Sequence, residues 1–237
     1  MDYREQPPRP GTGHLIKARW SLDCGGKSDE TLRHLATPDG CVELIWRSRG
    51  TSWWRRQQPP AFVAGIATAP AELRLSGDGR FTGLRLWPWT WHAIGGVPCT
   101  SFLDDWLPLS QALPGHEAVD DDIVVETAVN AVAEDTAELA KAVLTAASVA
   151  DLATSTGRSH RWLQRWFERH VGLAPRAYLR LLRFQEALSG LQDSEDTLAS
   201  HAADHGYADQ AHMARDFREL AKTPARAAKT KARGPFL

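Results

Sequence analysis

Over the first 112 residues the apolar positions fall in short runs divided by turn residues. CVELIW at 41–46 follows Pro38-Asp39-Gly40, AFVAGI spans 61–66, AELRL at 71–75 precedes Ser76-Gly77-Asp78-Gly79, and FTGLRLW spans 81–87. Runs of this length and spacing predict strands of a mostly antiparallel sheet or small barrel. The last two are expected to form a hairpin around the glycine-rich turn. Residues 1 to 13 are charged and proline-rich and read as a disordered arm, with order beginning at His14 to Trp20.

Beyond residue 119 the pattern becomes helical. Asp120-Asp121-Asp122 places negative charge where a helix dipole favours it. The alanine-rich stretch that follows is a connector or a dimerisation element, broken near Glu134-Asp135. Ser148-Val149-Ala150-Asp151 has the spacing of a capping box. From there one apolar pattern occurs twice, at an offset of 49 to 50 residues: Val149, Leu152, Ala153, Gly157, Ser159, Leu163, Phe167, and then Leu198, His201, Ala202, Gly206, Asp209, Met213, Phe217. In each copy a small residue precedes a glycine by four, an N-capping Ser or Asp follows, and core residues then fall at i and i+4. That is the order of parts in a helix-turn-helix. Between the copies Pro175 opens a long helix in which Tyr178, Leu181, Leu182, Leu188 and Leu191 supply the buried side and Arg176, Arg180 and Arg183 project elsewhere.

If Leu163 and Phe167 face inward, Arg161, Gln164, Arg165 and Glu168 face outward on the same helix. In the second copy Met213 and Phe217 point inward and leave Gln210, Ala211, Ala214, Arg215 and Arg218 outside. Arg offers a bidentate fork to guanine and Gln one to adenine, while Ala211 offers only apolar contact. The helix starts at Ser159 and Asp209 present free backbone N–H groups to phosphate. A wet face of an ordinary helical bundle has the same residues, but the duplication favours a DNA reader.

Charge sharpens this picture. Residues 148–237 carry 14 Lys+Arg against 10 Asp+Glu, leaving 14 against 19 in the rest, so the basic half is the half with the repeat. Eight of the ten tryptophans lie before residue 107. Cys24, Cys41 and Cys99 have no CxxC spacing and read as reduced thiols rather than a disulfide framework or metal site. No apolar run has the length of a membrane span and no secretory signal is visible at the start, so a cytoplasmic protein is expected. Nucleophile-elbow, zinc-protease, phosphate-loop and dinucleotide motifs are absent from the sequence, and no enzymatic activity, cofactor or metal is expected.

Leu163-Gln164-Arg165-Trp166-Phe167, Gly172-Leu173-Ala174-Pro175-Arg176-Ala177-Tyr178, Leu182-Arg183-Phe184-Gln185-Glu186-Ala187-Leu188 and Gly206-Tyr207-Ala208-Asp209-Gln210-Ala211-His212 together resemble the AraC/XylS family of bacterial transcription regulators. The resemblance covers roughly residues 147 to 228. It implies a seven-helix domain whose two recognition helices enter successive major grooves. It places Arg161, Gln164 and Arg165 of the first unit, and Gln210, Ala211 and Arg215 of the second, against bases; Ser159, Arg176, Asp209 and Arg218 are the expected phosphate contacts. The sequence departs from the family pattern at His201, where an aliphatic residue is usual, at Ala221, where glycine commonly ends the second recognition helix, and at the bulky Trp162 and Trp166. His201 is expected to be a satisfied core residue, and the tryptophans to pack on the linker helix or an adjoining domain.

Trp20, Pro38 to Ile45, Gly65 and Leu86-Trp87-Pro88 resemble the amino-terminal domain of a subgroup of these regulators, one of unknown function. Such a domain would sense an effector or mediate dimerisation. Trp46, Trp87 and Trp89, with Trp53, Trp54 and Trp91, are candidates to line an apolar pocket in which Arg85 or His92 orients a polar group; the competing reading makes them core and edge-strand aromatics. Trp53-Trp54-Arg55-Arg56 reads as a surface or interface loop. The expected architecture is α+β. Residues 1–112 form a β-rich effector or dimerisation domain, 113–146 a helical connector, and 147–237 an all-α DNA-binding domain with two helix-turn-helix units joined by a linker helix. The expected function is a sequence-specific regulator of transcription on double-stranded DNA. A small-molecule effector, RNA polymerase and a second copy of the chain are further candidate partners, and no membrane is expected among them. The alternatives are a small-molecule binding protein whose helical half mediates protein contacts, and an enzyme built on the tryptophan-rich half.

Overall fold

In the computed structural model, which describes residues 1–113, 121–193 and 197–231, the amino-terminal half folds into two antiparallel sheets. The strands are β1 (Asp2–Gln6), β2 (Ile16–Asp23), β3 (Thr31–Ala36), β4 (Val42–Arg49), β5 (Ser52–Trp54), β6 (Arg56–Gln57), β7 (Ala61–Ala64), β8 (Ala71–Ser76), β9 (Arg80–Leu86) and β10 (Trp106–Pro108). One sheet runs β1-β2-β9-β4-β7-β10 and the other β3-β8-β5-β6. The pleat divides each strand of the larger sheet between two cores. Val42, Leu44, Val63, Leu84 and Leu86 pack toward the helices, whereas Ile45, Phe62 and Phe81 join Trp20, Trp54 and Leu75 between the sheets.

Three expectations change here. β8 and β9 are not a hairpin: β8 pairs with β3 and β5, and β9 with β2 and β4, so the turn between them crosses from one sheet to the other. Gly77 serves close backbone approach there, since a Cβ on it would lie 2.3 Å from the Lys27 carbonyl oxygen. The arm expected at residues 1 to 13 contains β1, which pairs with β2 from Asp2↔Asp23 to Gln6↔Arg19. Its polar composition suits an edge strand, which a search for apolar runs passes over. Trp53-Trp54-Arg55-Arg56 is a tight β5–β6 hairpin with Arg55 at φ +59°, leaving Trp53 exposed and Trp54 buried between the sheets.

A charged cluster ties three strands together. Arg85, 3% exposed, forms ion pairs with Glu5 at 2.5 Å, Asp39 at 3.0 Å and Glu43. One guanidinium cannot neutralise three carboxylates. Burial pushes the Glu43 carboxyl up to about 7; Arg85 pulls it down and the neighbouring Asp39 raises it again. Lys17 closes the cluster from β2, its amine donating to the Asp39 carbonyl at 3.3 Å.

The helical part begins with α1 (Pro88–Ala93), α2 (Leu109–Ala112), α3 (Asp121–Ala131) and α4 (Glu134–Thr145). The break between α3 and α4 falls at Val132-Ala133, beside the expected position; Asp120 and the Asp121 side chain lie outside the described residues. There follow α5 (Val149–Thr156), α6 (His160–His170), α7 (Pro175–Asp193), α8 (Leu198–Asp204), α9 (Gln210–Leu220) and α10 (Ala225–Lys231). The two halves share one core: Trp89 of α1 packs on Trp166 of α6 and Tyr178 of α7, with ring centroids 6.0 and 6.1 Å apart.

Two measurements test this account. Gly83 lies opposite Trp20, and a Cβ there would come within 2.2 Å of the indole. Gly83→Ala should lower unfolding free energy by about 1–3 kcal/mol, read as a drop in urea midpoint at unchanged slope. The raised Glu43 carboxyl means that the folded chain keeps a proton which the unfolded chain loses near its ordinary value of 4.5. The resulting stabilisation is complete below that value and gone above about 7. Histidines lowered by burial, such as His92, act in the opposite sense over the same range, so the readout is a difference between proteins. Between about pH 5 and about pH 8 wild type should lose stability relative to Glu43→Gln; parallel pH profiles would refute the assignment.

Candidate nucleic-acid interface

Each repeated sequence pattern becomes a helix pair with its own caps. In the first, α5 starts at Ser148, whose hydroxyl accepts from Asp151 N at 3.1 Å, and ends at Gly157 with φ +64°. Ser159 then caps α6 by accepting from Trp162 N at 3.2 Å. In the second, Thr197 caps α8, Gly206 turns the chain at φ +70°, and Asp209 caps α9 by accepting from His212 N at 2.6 Å. Each side-chain cap satisfies a backbone donor that the helix leaves open, and glycine takes the left-handed turn without a Cβ penalty.

Packing then sorts the side chains of α6 and α9. Leu163, Trp166 and Phe167 are buried, as are Met213, Phe217 and Leu220. Arg161, Gln164 and Arg165 are exposed on α6, and Gln210, Ala211 and Arg215 on α9. Ser159, Arg176, Asp209 and Arg218 are exposed as well. Among the described residues no ion pair within 4 Å engages Arg161, Arg165, Arg176, Arg215 or Arg218, and all five are exposed, with Arg215 near enough to Glu219 to lower its carboxyl. Arg165 also borders a groove of about 900 Å³ between α6 and α4, across which stand Asp135 and Glu138.

The second unit is clamped to α7 by two arginines that a sequence pattern could only place off the apolar stripe. Arg180 Nε donates to Asp216 Oδ1 at 2.8 Å and the same side chain pairs with Glu219, both on α9. Arg183 donates to the Gly206 carbonyl at 3.2 Å and lies over the Tyr207 ring. Asp216 is 3% exposed, which sequence reasoning missed; its signal is a carboxylate on α9 next to the apolar Phe217 and facing a basic helix.

The departures from the family pattern also find their places. His201 is buried with its Nε2 2.8 Å from the Ala187 carbonyl, a bond that requires the proton on Nε2. Ala221 keeps negative φ, and the left-handed residue after α9 is Lys222 at φ +51°. Trp166 packs against α1 of the amino-terminal half, and half-buried Trp162 carries the Arg158 guanidinium 4.6 Å from its ring.

The expected effector residues are dispersed. Trp87 and Trp89 stack at 5.7 Å and, with Trp91, belong to the core facing the helices, while Trp46 packs at its edge. Arg85 is enclosed by its carboxylates. A cavity of about 100 Å³ lies instead between the two sheets, walled by Trp20, Trp54, Phe62 and Phe81 and bordered by Asp39 and Glu43. The segment that supplies Asp39 also touches the helical half. Tyr178 donates its hydroxyl to the Gly40 carbonyl at 2.9 Å, and Gln185 Nε2 donates to Thr37 Oγ1 at 3.0 Å and to the Pro38 carbonyl at 2.5 Å. Cys24, Cys41 and Cys99 are buried free thiols; burial holds Cys41 well above its ordinary range and pushes Cys99 up to about 12. Among the described residues no His, Cys, Asp or Glu cluster is placed to hold a metal, and no helix is long and apolar enough to cross a membrane.

Residues 152–230 match a helix-turn-helix domain family, and residues 4–108 match a domain family of unknown function, DUF6597. Over 59 residues the chain is 37% identical to the HTH-type transcriptional activator RhaS of Pectobacterium carotovorum, a match that takes in 25% of this chain and 21% of the relative. The chain thus spans about a fifth of the length of the curated relatives it matches. Looser structural likenesses are to an AraC-type transcriptional regulator from Chromobacterium violaceum (23% identity, 41% of this chain and 87% of that one, TM-score 0.35) and to ToxT from Vibrio cholerae (8% identity, 96% and 98%, TM-score 0.49). The duplicated helix-turn-helix, its caps and these matches agree with the resemblance of residues 147 to 228 to AraC/XylS regulators, and they place a helix-turn-helix domain over residues 152–230 beside an amino-terminal domain of unknown function.

Proposed function

We propose that this protein is a transcription regulator that reads double-stranded DNA by sequence and is controlled through its amino-terminal half. The observation that carries the reading is the pair of capped helices α6 and α9, each with its apolar side buried and with Arg161, Gln164 and Arg165, or Gln210, Ala211 and Arg215, turned to solvent. Arg and Gln at those places can form bidentate hydrogen bonds to guanine and adenine in a major groove. The N-termini at Ser159 and Asp209, with Arg176 and Arg218, supply phosphate contacts that set register and most of the salt dependence. Control through the amino-terminal half is supported by the bonds from Tyr178 and Gln185 to the segment bordering the inter-sheet cavity. A small molecule there would act on α7, to which α9 is clamped. Activity as a DNA-binding regulator accounts for these features without assigning any residue a catalytic role.

Selection from a random duplex library at roughly physiological salt tests the reading, with wild type and an R161A/R165A double variant side by side. Wild type should enrich two short patches about ten base pairs apart, and the variant should lose or relax one of them. Arg165→Ala alone should cost about 1–3 kcal/mol at one base position. No enriched motif from either the full chain or residues 147 to 237 would refute DNA reading. Replacing Arg218 by Ala should instead weaken all sequences alike and reduce the salt slope by about one phosphate's worth; a change in preferred sequence would show that it reads a base.

A further inference from the structure

We propose that the cavity between the two sheets binds a small molecule with an aromatic or apolar body and one positively charged amino group, the ammonium seated against Asp39 and Glu43. The inference rests on the reading of the amino-terminal half as a sensor and names what it senses. The argument begins with the lining. Trp20, Trp54, Phe62 and Phe81 provide aromatic wall, and among the described residues the only charged side chains on the cavity surface are the carboxylates Asp39 and Glu43. An aromatic wall beside carboxylates suits a cation twice over, through the ring faces and through charge-assisted hydrogen bonds.

The surroundings leave these carboxylates short of positive charge. The titratable groups facing them are Arg85 from β9, Glu5 and Tyr3 from β1, Lys17 from β2, Tyr178 from α7, and Cys41 from their own segment. Arg85 and Lys17 oppose Glu5, Asp39 and Glu43, which leaves one negative charge in excess when all are ionised. Asp39 is 9% exposed, and its Oδ2 accepts no directed hydrogen bond although Arg85 Nε lies 3.0 Å away. Burial and the shortage of cations together keep a proton near Glu43. An ammonium in the cavity would take the place of that proton, whereas an anion would meet two carboxylates and an arginine already enclosed by three. The size sets a limit: a free volume of about 100 Å³ is smaller than the roughly 150 Å³ apolar cavity known to hold one benzene ring, so a ring with an aminoalkyl arm enters only if the aromatic walls move apart.

Calorimetric titration of the full chain with 2-phenylethylamine, and separately with the matched anion 3-phenylpropanoate, tests the proposal. The amine should bind at least about tenfold more tightly than the acid. Glu43→Gln, which keeps the shape and removes the charge, should weaken the amine by about tenfold. Ala71→Leu, which fills the cavity from a lining position, should weaken it by a similar factor while both variants keep the wild-type circular dichroism. Equal binding of acid and amine, amine binding unchanged in both variants, or no saturable heat in the millimolar range overturns the proposal. The duplex selection separates the two readings: an enriched motif without amine binding removes the ligand and leaves the regulator, and amine binding without any motif does the reverse.

Discussion

Helix α7 is the constraint on which the rest of this molecule depends, because three different bodies pack on it at once. Tyr178, Leu182 and Gln185, at i, i+4 and i+7, form a stripe against residues 37–41 of the amino-terminal half. Arg180 and Arg183 hold the second helix-turn-helix, and Phe167 of the first packs on Tyr178 from a third direction. A stiff helix engaged by three neighbours at once fixes their relative placement. Gly40 makes the closest approach possible: its φ of +75° suits the turn, and a Cβ there would sit 3.2 Å from Leu182.

The same short segment sets the chemistry of the amino-terminal half. Asp39 caps its own turn by accepting from Cys41 N at 2.9 Å, faces Arg85 with its other oxygen, and borders the inter-sheet cavity. Its backbone neighbours carry the bonds to α7. A change of charge at the cavity is therefore only one peptide unit from the linker between the proposed DNA readers. The proposed coupling needs no long pathway, because cavity and linker share one turn.

On the outer faces of α6 and α9, what matters is what packing leaves out. Leu163, Phe167, Met213 and Phe217 take the inner sides of α6 and α9, and the remaining guanidinium and amide groups are exposed by elimination. Arg180 and Arg183 of α7 have the opposite fate, drawn to Asp216 and to the Gly206 carbonyl. Identical residue types thus serve a surface or a clamp according to whether an acceptor stands within hydrogen-bond reach of them.

Local pattern carried most of the helical half. The glycine, cap and apolar spacing of the repeat located α5, α6, α8 and α9, and Pro175 marked the start of α7, because helix periodicity and capping involve residues only a few positions apart. The long strands β4, β7, β8 and β9 were legible for the same reason. The partners of those strands were not: β8 and β9 separate at Gly77 because of backbone contacts with Lys27, some fifty residues away, and β1 exists because β2 offers it an edge. Nor could the tryptophans be divided by sequence into pocket and core. Trp87 and Trp89 fell on the face toward α6 and α7, and Trp20 and Trp54 on the face between the sheets, a choice made by strand register and sheet assignment. The sequence by itself determined the connector helices, the helices of the repeat and the linker, their caps at Ser148, Ser159 and Asp209, and the residues that α6 and α9 turn outward, but not α1 and α2, which lie in a stretch read as β-rich; the tertiary structure alone decided which carboxylates meet Arg85 and which turn meets α7, since those contacts join groups 42 to 148 positions apart and no local spacing encodes them.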